Sequence, residues 1–236
     1  MKYYNTKVIV AGNILEKYTY ENPVFTDYQD SSHSGRSSSE VTQEDKIKNR
    51  DKVLSRARKD LRRLINTNIG ANSKFVTLTF KENLEDLTIA NYEFKKFIDR
   101  LKYKLKIKVQ YAVVPEFQKR GAIHYHVVLF NVGYIPHNEL AQLWGHGFVK
   151  INKISEVDNV GAYVCKYMNK ENNDDRLLEK KCYFTSKNLD KPYEMTEKMQ
   201  VENLVNSLPA ECKVYENSFK NEHLGKITYT QYNLNI

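Results

Sequence analysis

Between Lys74 and Ile154 the apolar residues switch back and forth between two spacings, and the order of the switches leaves few folds open. KFVTLTF, residues 74–80, alternates in the two-residue period of a half-buried strand. From Leu84 to Leu105 the period lengthens, with Leu87, Phe94, Phe97, Ile98 and Leu101 at helical spacing. KVQYAVVPEF and AIHYHVVLF return to strand, a short helix follows around Asn138 to Trp144, GFVKINKI reads as another strand, and Ser155 opens a further helix. The order strand, helix, strand, strand, helix, strand, helix predicts an α+β fold. Its central, mostly antiparallel sheet carries flanking helices on the split βαβ or ferredoxin-like plan.

Three segments follow from this reading. Residues 1–41 hold a hairpin turning at Gly12 and Asn13, then the Ser-rich stretch DSSHSGRSSSE, expected to be a flexible linker. Residues 42–171 form the core, led by a long helix that Thr42 caps. Its apolar side is read as Val53, Leu61, Leu64 and Ile65, and the rest of its surface is basic. Residues 172–236 are a C-terminal extension with a strand at KCYFTS, a helix near Thr196 to Asn206, and aromatic strand-like segments ending in ITYTQY.

Charge narrows the function classes. Lys and Arg number 37 against 29 Asp and Glu, a net charge of +8, which points to an anionic partner such as nucleic acid. Arg56, Arg62 and Arg63 on the leading helix are candidates for phosphate contact, although a basic helix is often only a solvated one. There is no apolar run long enough to span a bilayer and no secretory pattern at the N-terminus, so a soluble, intracellular protein without membrane partners is expected. The 3 cysteines fit neither a disulfide framework nor a thiolate zinc site. No GxxxxGK[ST] sequence is present, so no helicase motor of the P-loop type is expected.

Chemistry concentrates in two places. In the strand AIHYHVVLF, His124 and His126 fall on one face. The preceding strand ends in PEFQKRG, and a three-residue loop of Lys119, Arg120 and Gly121 would pair Glu116 with His124, placing all three side chains together. One carboxylate and two imidazoles make a mixed site for a divalent cation, Mn²⁺ or Mg²⁺ where a phosphate is to be gripped. The plainer alternative is two histidines satisfied by solvent or backbone carbonyls.

The second place is VDNVGAYVCKYMNK. At helical spacing Val157, Val160, Gly161, Val164 and Met168 form a packing face, while Tyr163, Lys166, Tyr167 and Lys170 form another, two phenols each followed three residues later by a lysine. A phenol is a weak nucleophile at neutral pH and needs a polarised phosphate or a nearby cation to act as one. Tyrosines at this spacing also serve as ordinary packing.

FVTLTF, PEFQKRGAIHYH and GAYVCKYMNK, in that order, resemble the three motifs of the HUH endonucleases, in particular the rolling-circle replication initiators of single-stranded DNA phages and bacterial plasmids. The resemblance covers roughly residues 45–190, and the one mild departure is Tyr125 where a bulky apolar residue is usual. It implies an RRM-like core with His124, His126 and Glu116 holding Mn²⁺ or Mg²⁺. It implies Tyr167 as the first nucleophile, leaving a 5′-phosphotyrosine and a free 3′-OH, Tyr163 as the second, and Lys166 or Lys170 near the phosphate. Thr77 and Thr79 of the first motif and Arg120 become candidates for DNA contact. Implied partners are single-stranded or hairpin origin DNA, a host helicase and the replication machinery, in the cytoplasm of a bacterial host. Readings that compete are a non-catalytic nucleic-acid-binding module, a nuclease that activates water, and a relaxase or transposase of the same superfamily.

Overall fold

The computed structural model describes residues 2–26, 43–152, 154, 159–168 and 180–235. Thr42, His33, Ser155, Asp158 and Lys170, singled out above, lie outside them, as does the Ser-rich stretch. The chain divides into two compact units, Lys48–Asp190 and a second made of Met1–Ile47 with Lys191–Ile236. The N-terminal hairpin, β1 (Tyr3–Ala11) and β2 (Ile14–Phe25), belongs to the second.

The unit spanning 48–190 carries the expected alternation. After helix α1 (Gln43–Asn68) come β3 (Lys74–Thr79), α2 (Leu87–Leu105), β4 (Tyr111–Phe117), β5 (Ile123–Leu129), α3 (His137–Trp144), β6 (Val149–Asn152), α4 (Val160–Val164) and β7 (Phe184–Thr185). The sheet order is β6-β3-β5-β4-β7 with every neighbour antiparallel, so the first four strands follow the ferredoxin-like arrangement. Helix α2 starts where the Asp86 carboxylate accepts hydrogen bonds from the Thr88 and Ile89 amides. It ends in left-handed backbone at Lys106, with Lys102 and Lys104 in the last turn facing its negative pole.

Strand alternation divides the core of this unit in two. On one face Val76, Leu78, Val113, Ile123, Tyr125 and Val127 pack against Phe94, Phe97, Ile98 and Leu101 of α2 and against Leu140 and Trp144 of α3. On the other face Phe75, Ala112, Val114 and Val128 meet Leu54, Leu61 and Ile65 of α1 and Val160 and Val164 of α4. Here the expected apolar side of α1 needs a correction: Val53 is 60% exposed, and Leu54 takes its place in line with Leu61 and Ile65. Trp144, which could have been a stacking surface, is wholly buried and donates its indole N–H to the Thr79 carbonyl at 2.8 Å.

The other unit is a second antiparallel sheet that the sequence reading did not foresee. The hairpin of β1 and β2 is joined by β8 (Tyr193–Met195), β9 (Lys213–Asn221) and β10 (Gly225–Asn233) in the order β8-β1-β2-β10-β9. Helix α5 (Lys198–Asn206) covers one face, with Val201 packed among Val8, Leu15, Cys212 and Tyr232. Among the described residues no helix is long and apolar enough to cross a membrane, and all three cysteines are free thiols.

Candidate active site

The turn between β4 and β5 sets the register on which the site depends. Gln118 N–H donates to the Ala122 carbonyl and Gly121 N–H to that of Gln118, each at 2.8 Å, closing the three-residue loop. Gly121 sits at φ +93°, where a side chain is strained, and a Cβ there would lie 2.5 Å from the Glu85 carboxylate. Glu116 therefore stands opposite His124, and Val114 opposite His126. On the other side of β5, Thr77 of β3 faces His126 and Thr79 faces His124. All these side chains emerge from the sheet face that packs on α1 and α4.

Within this register the carboxylate reaches along the diagonal. His126 Nε2 donates to Glu116 Oε2 at 2.5 Å, and its Nδ1 lies 3.5 Å from the Thr77 hydroxyl, the outer limit of hydrogen bonding. His126 is only 4% exposed. Among the described residues, the Nε2 of His124 is buried without a hydrogen-bond partner. Burial pushes the His124 pKa down to about 4, and the charges of His126 and Arg120 add to the effect while Glu116 opposes it. At neutral pH this imidazole is uncharged, its nitrogen available as a ligand.

Stability is linked to this shift. The unfolded imidazole titrates near 6.5 and the folded one near 4, so the unfolded chain binds more protons in between. The contribution of His124 to stability is complete above pH 6.5 and is lost as pH falls through about 4. Urea midpoints measured at pH 7 and pH 5 should show the wild type losing more stability than His124→Asn.

The two tyrosines reach the same face. Helix α4 proper spans only Val160–Val164, and Cys165–Met168 tightens into a 3₁₀ turn. The described helix starts later than its expected opening at Ser155, and its N-cap is Asn159, whose side chain accepts from the Ala162 amide. Instead of standing on a solvent face, both phenols are half-buried in the core beneath the sheet. Tyr167 lies flat on His126, ring centroids 3.6 Å apart and planes 17° from parallel. Tyr163 meets Tyr167 edge-on at 6.3 Å, and Phe75 touches both rings as well as that of His126. Burial pushes the Tyr167 pKa up to about 12, helped by the hydrogen bond with the Tyr163 hydroxyl and the negative charge of Glu116. Lys166 is exposed, its ammonium 5.5 Å from the Tyr163 ring centre.

What holds the tyrosine turn in place is a close approach of α4 to α1. Gly161 N–H donates to Asn66 Oδ1 at 2.8 Å, and Asn66 Nδ2 donates to Asn159 Oδ1 at 2.9 Å. A Cβ on Gly161 would lie 2.2 Å from the Arg62 carbonyl oxygen, so the two backbones touch. Gly161→Ala is expected to cost about 1–3 kcal/mol of stability by overpacking, and to shift the tyrosines away from His126. Denaturant unfolding checks the first effect, and fluorescence of the tyrosine cluster the second. Asn66, 2% exposed, and Phe75 escaped the sequence reading. A lone Asn between Leu61 and Ile65 on one side and Ile69 on the other, within an apolar stripe, and the alternation that sets Phe75 beside Thr77, were the signals for them.

Other expected site residues are engaged elsewhere. The Thr79 hydroxyl donates to the Phe148 carbonyl and accepts from its amide, each at 3.0 Å, tying β3 to the approach of β6. Arg120 spends its guanidinium on the Phe80 carbonyl and the Gln118 side chain, at 2.8 and 2.9 Å. Arg56 is exposed and Arg63 half-buried on α1. Arg62, with Arg58, Lys59 and Ser55, lines a cleft of about 230 Å³ against Ala162 and Cys165, directly behind the tyrosine turn. His137 donates to the Val149 carbonyl and His146 pairs with Glu93, as structural histidines do.

The donor chemistry of the cluster suits a cation. The orphaned nitrogen of His124, the imidazole of His126 and the carboxylate of Glu116 form a donor set that fits a divalent ion. Among the described residues, however, no group of three His, Cys, Asp or Glu side chains gathers in ligand geometry, since Glu116 and His126 are turned to each other. No curated protein and no solved structure matches the chain. Residues 73–172, the stretch that holds Thr77, Glu116, both histidines and both tyrosines, match the family model of the replication-associated protein ORF2, and in this stretch the chain is similar to replication-associated proteins.

Proposed function

We propose that this protein is a rolling-circle replication initiator that nicks one strand of origin DNA, stays covalently attached through a tyrosine, and later rejoins the strand. The observation that carries the reading is the stacking of Tyr167 on His126 at 3.6 Å, which brings a phenol onto the one sheet face where two histidines and a glutamate converge. The match of residues 73–172 to a replication-associated family supports it.

In this reading Tyr167 Oη attacks the scissile phosphorus. The Oη–P bond forms and the P–O3′ bond breaks, leaving a 5′-phosphotyrosine and a 3′-oxygen that takes up a proton to become the 3′-OH. In net terms the phenol proton is transferred to that leaving oxygen. Reversal, by attack of a 3′-OH on the phosphotyrosine, restores the phenol, and Tyr163 can make a second such cut. With a pKa near 12, Tyr167 is phenolate in only about one molecule in 10⁵ at pH 7, and the charge of Glu116 holds it back further. A divalent cation bound by Glu116, His124 and His126, Mn²⁺ or Mg²⁺, would cancel that charge and polarise the phosphate. Lys166 lends positive charge beside Tyr163, and the cleft lined by Arg58, Lys59 and Arg62 offers the incoming phosphates a track. Lys170, outside the described residues, is assigned to the same role by its place in the motif. Arg56, Arg63 and Arg120 and the threonines are secondary candidates for DNA contact, and unwinding falls to a host helicase.

The test is a denaturing gel. Wild type is incubated with Mn²⁺ and a tiled set of labelled single-stranded oligonucleotides from the replicon, and label is sought on the protein. A protein-bound label supports the reading. Cleaved DNA with no adduct would favour a nuclease that activates water, and binding with neither product would favour a non-catalytic module. A relaxase or transposase would form the same adduct, and transfer to an origin-derived 3′-OH after one round of synthesis separates an initiator from both.

A further inference from the structure

The sheet of the 48–190 unit has a second concavity on the face opposite the histidines, and nothing in the chemistry above uses it. It lies between α2 and the β4–β7 edge and encloses about 390 Å³, within the range of small-ligand pockets. Its floor is aromatic: Tyr111 and Phe184 each stand edge-on to Phe94, at centroid distances of 5.6 and 5.4 Å, and Pro115 continues the apolar surface. Its rim is cationic, formed by Lys95 of α2 and by Lys180 and Lys181 ahead of β7, all three exposed. No carboxylate is among its described lining residues. Asp86, whose charge Lys180 feels, is already engaged in capping α2. Asn91 accepts a hydrogen bond from the buried Tyr125 hydroxyl at 2.7 Å, which fixes its amide and leaves the Nδ2 donors to face the pocket.

An apolar aromatic floor asks for a flat hydrophobic ligand, a lysine rim asks for negative charge, and a fixed amide donor asks for an acceptor edge. A nucleotide combines all three, a base to lie on the rings and a phosphate to meet the ammonium groups. We infer that this pocket is a second nucleic-acid subsite, holding a nucleotide of single-stranded DNA on the side of the sheet away from Tyr167. The inference rests on the reading of the protein as one that handles single-stranded DNA. A strand held there is kept near the protein while the tyrosine face is engaged with another part of it.

Photo-cross-linking tests the assignment. The full chain is irradiated with a mixed-sequence single-stranded oligonucleotide carrying 5-iododeoxyuridine, and the modified peptides are mapped. Cross-links on the peptides of Tyr111 or Phe184, besides any on those of Tyr163 and Tyr167, are expected. The triple variant Lys95→Glu, Lys180→Glu, Lys181→Glu should lose these cross-links, bind the strand about tenfold more weakly, and show a slope of log affinity against log salt smaller by about 2. Its tyrosine adduct should still form. Cross-links confined to the tyrosine face, with wild-type affinity in the triple variant, overturn the subsite and leave the proposed function standing. Failure of the protein to bind the strand at all overturns both. Equal competition by a free deoxynucleoside monophosphate overturns the commitment to a strand.

Discussion

Tyr167→Phe is expected to lower formation of the covalent DNA adduct by at least about 10³-fold, the scale on which loss of a nucleophile is felt. The change removes one oxygen and keeps the ring, so the stack on His126 at 3.6 Å and the packing against Phe75 survive. It also deletes one partner of the hydrogen bond with Tyr163, whose hydroxyl borders the same site. The double variant with Tyr163→Phe should form no adduct, and Tyr163→Phe alone should retain the first cut and lose strand transfer. Adduct yield on a denaturing gel, with affinity for the uncleaved strand measured beside it, reads these effects. An unchanged yield in the double variant would sink the tyrosine mechanism.

The second large effect concerns the histidines. His124→Ala should abolish cleavage while sparing most DNA binding, because His124 belongs to the proposed ligand set and takes no part in the core beneath α2. Its signature lies outside activity as well. Mn²⁺ at about 100 times its dissociation constant stabilises a protein that binds it by about 2.7 kcal/mol, which in a chain of this size raises Tm by about 5–10 °C. That rise should be present in the wild type and absent in His124→Ala. His126→Ala should lose it too, and should also destabilise the apo protein, since it strips the partner from Glu116 and the stacking surface from Tyr167. Equal Mn²⁺ shifts in wild type and both variants would show that these residues bind no cation. A loss of cleavage and DNA binding together would mean that they serve the fold.

Much of this site could be read from the chain because its geometry is local. A three-residue hairpin turn with Gly121 at its left-handed position sets the partner of Glu116, and strand alternation then decides the face. Helix α2 was legible from the spacing of Phe94, Phe97, Ile98 and Leu101. What sequence could not supply was distance across the fold. Nothing near Tyr167 says that the 3₁₀ turn after Val164 brings its ring flat onto His126, because that depends on the contact of Gly161 with Arg62, far earlier in the chain. Arg120 misled for the opposite reason. A loop arginine beside a phosphate site invites a DNA role, yet its guanidinium is held by the Phe80 carbonyl, an acceptor no sequence pattern reveals. Val53 and Leu54 show how one residue along a helix, about 100°, exchanges a buried position for an open one.

The pairing of β2 with β10, Tyr20 against Ile227, has a consequence for synthesis. The hairpin of β1 and β2 emerges first, but its neighbour across the sheet arrives only near the end of the chain. Until then β2 presents an open edge, the feature by which strands recruit the wrong partner. The unit between them has all its strand pairings inside Lys48–Asp190, so it can mature on the ribosome while the hairpin waits. Truncations before β10 are therefore expected to aggregate through the first hairpin even where the 48–190 unit is intact. An excised 48–190 fragment is the better starting point for isolating the chemistry.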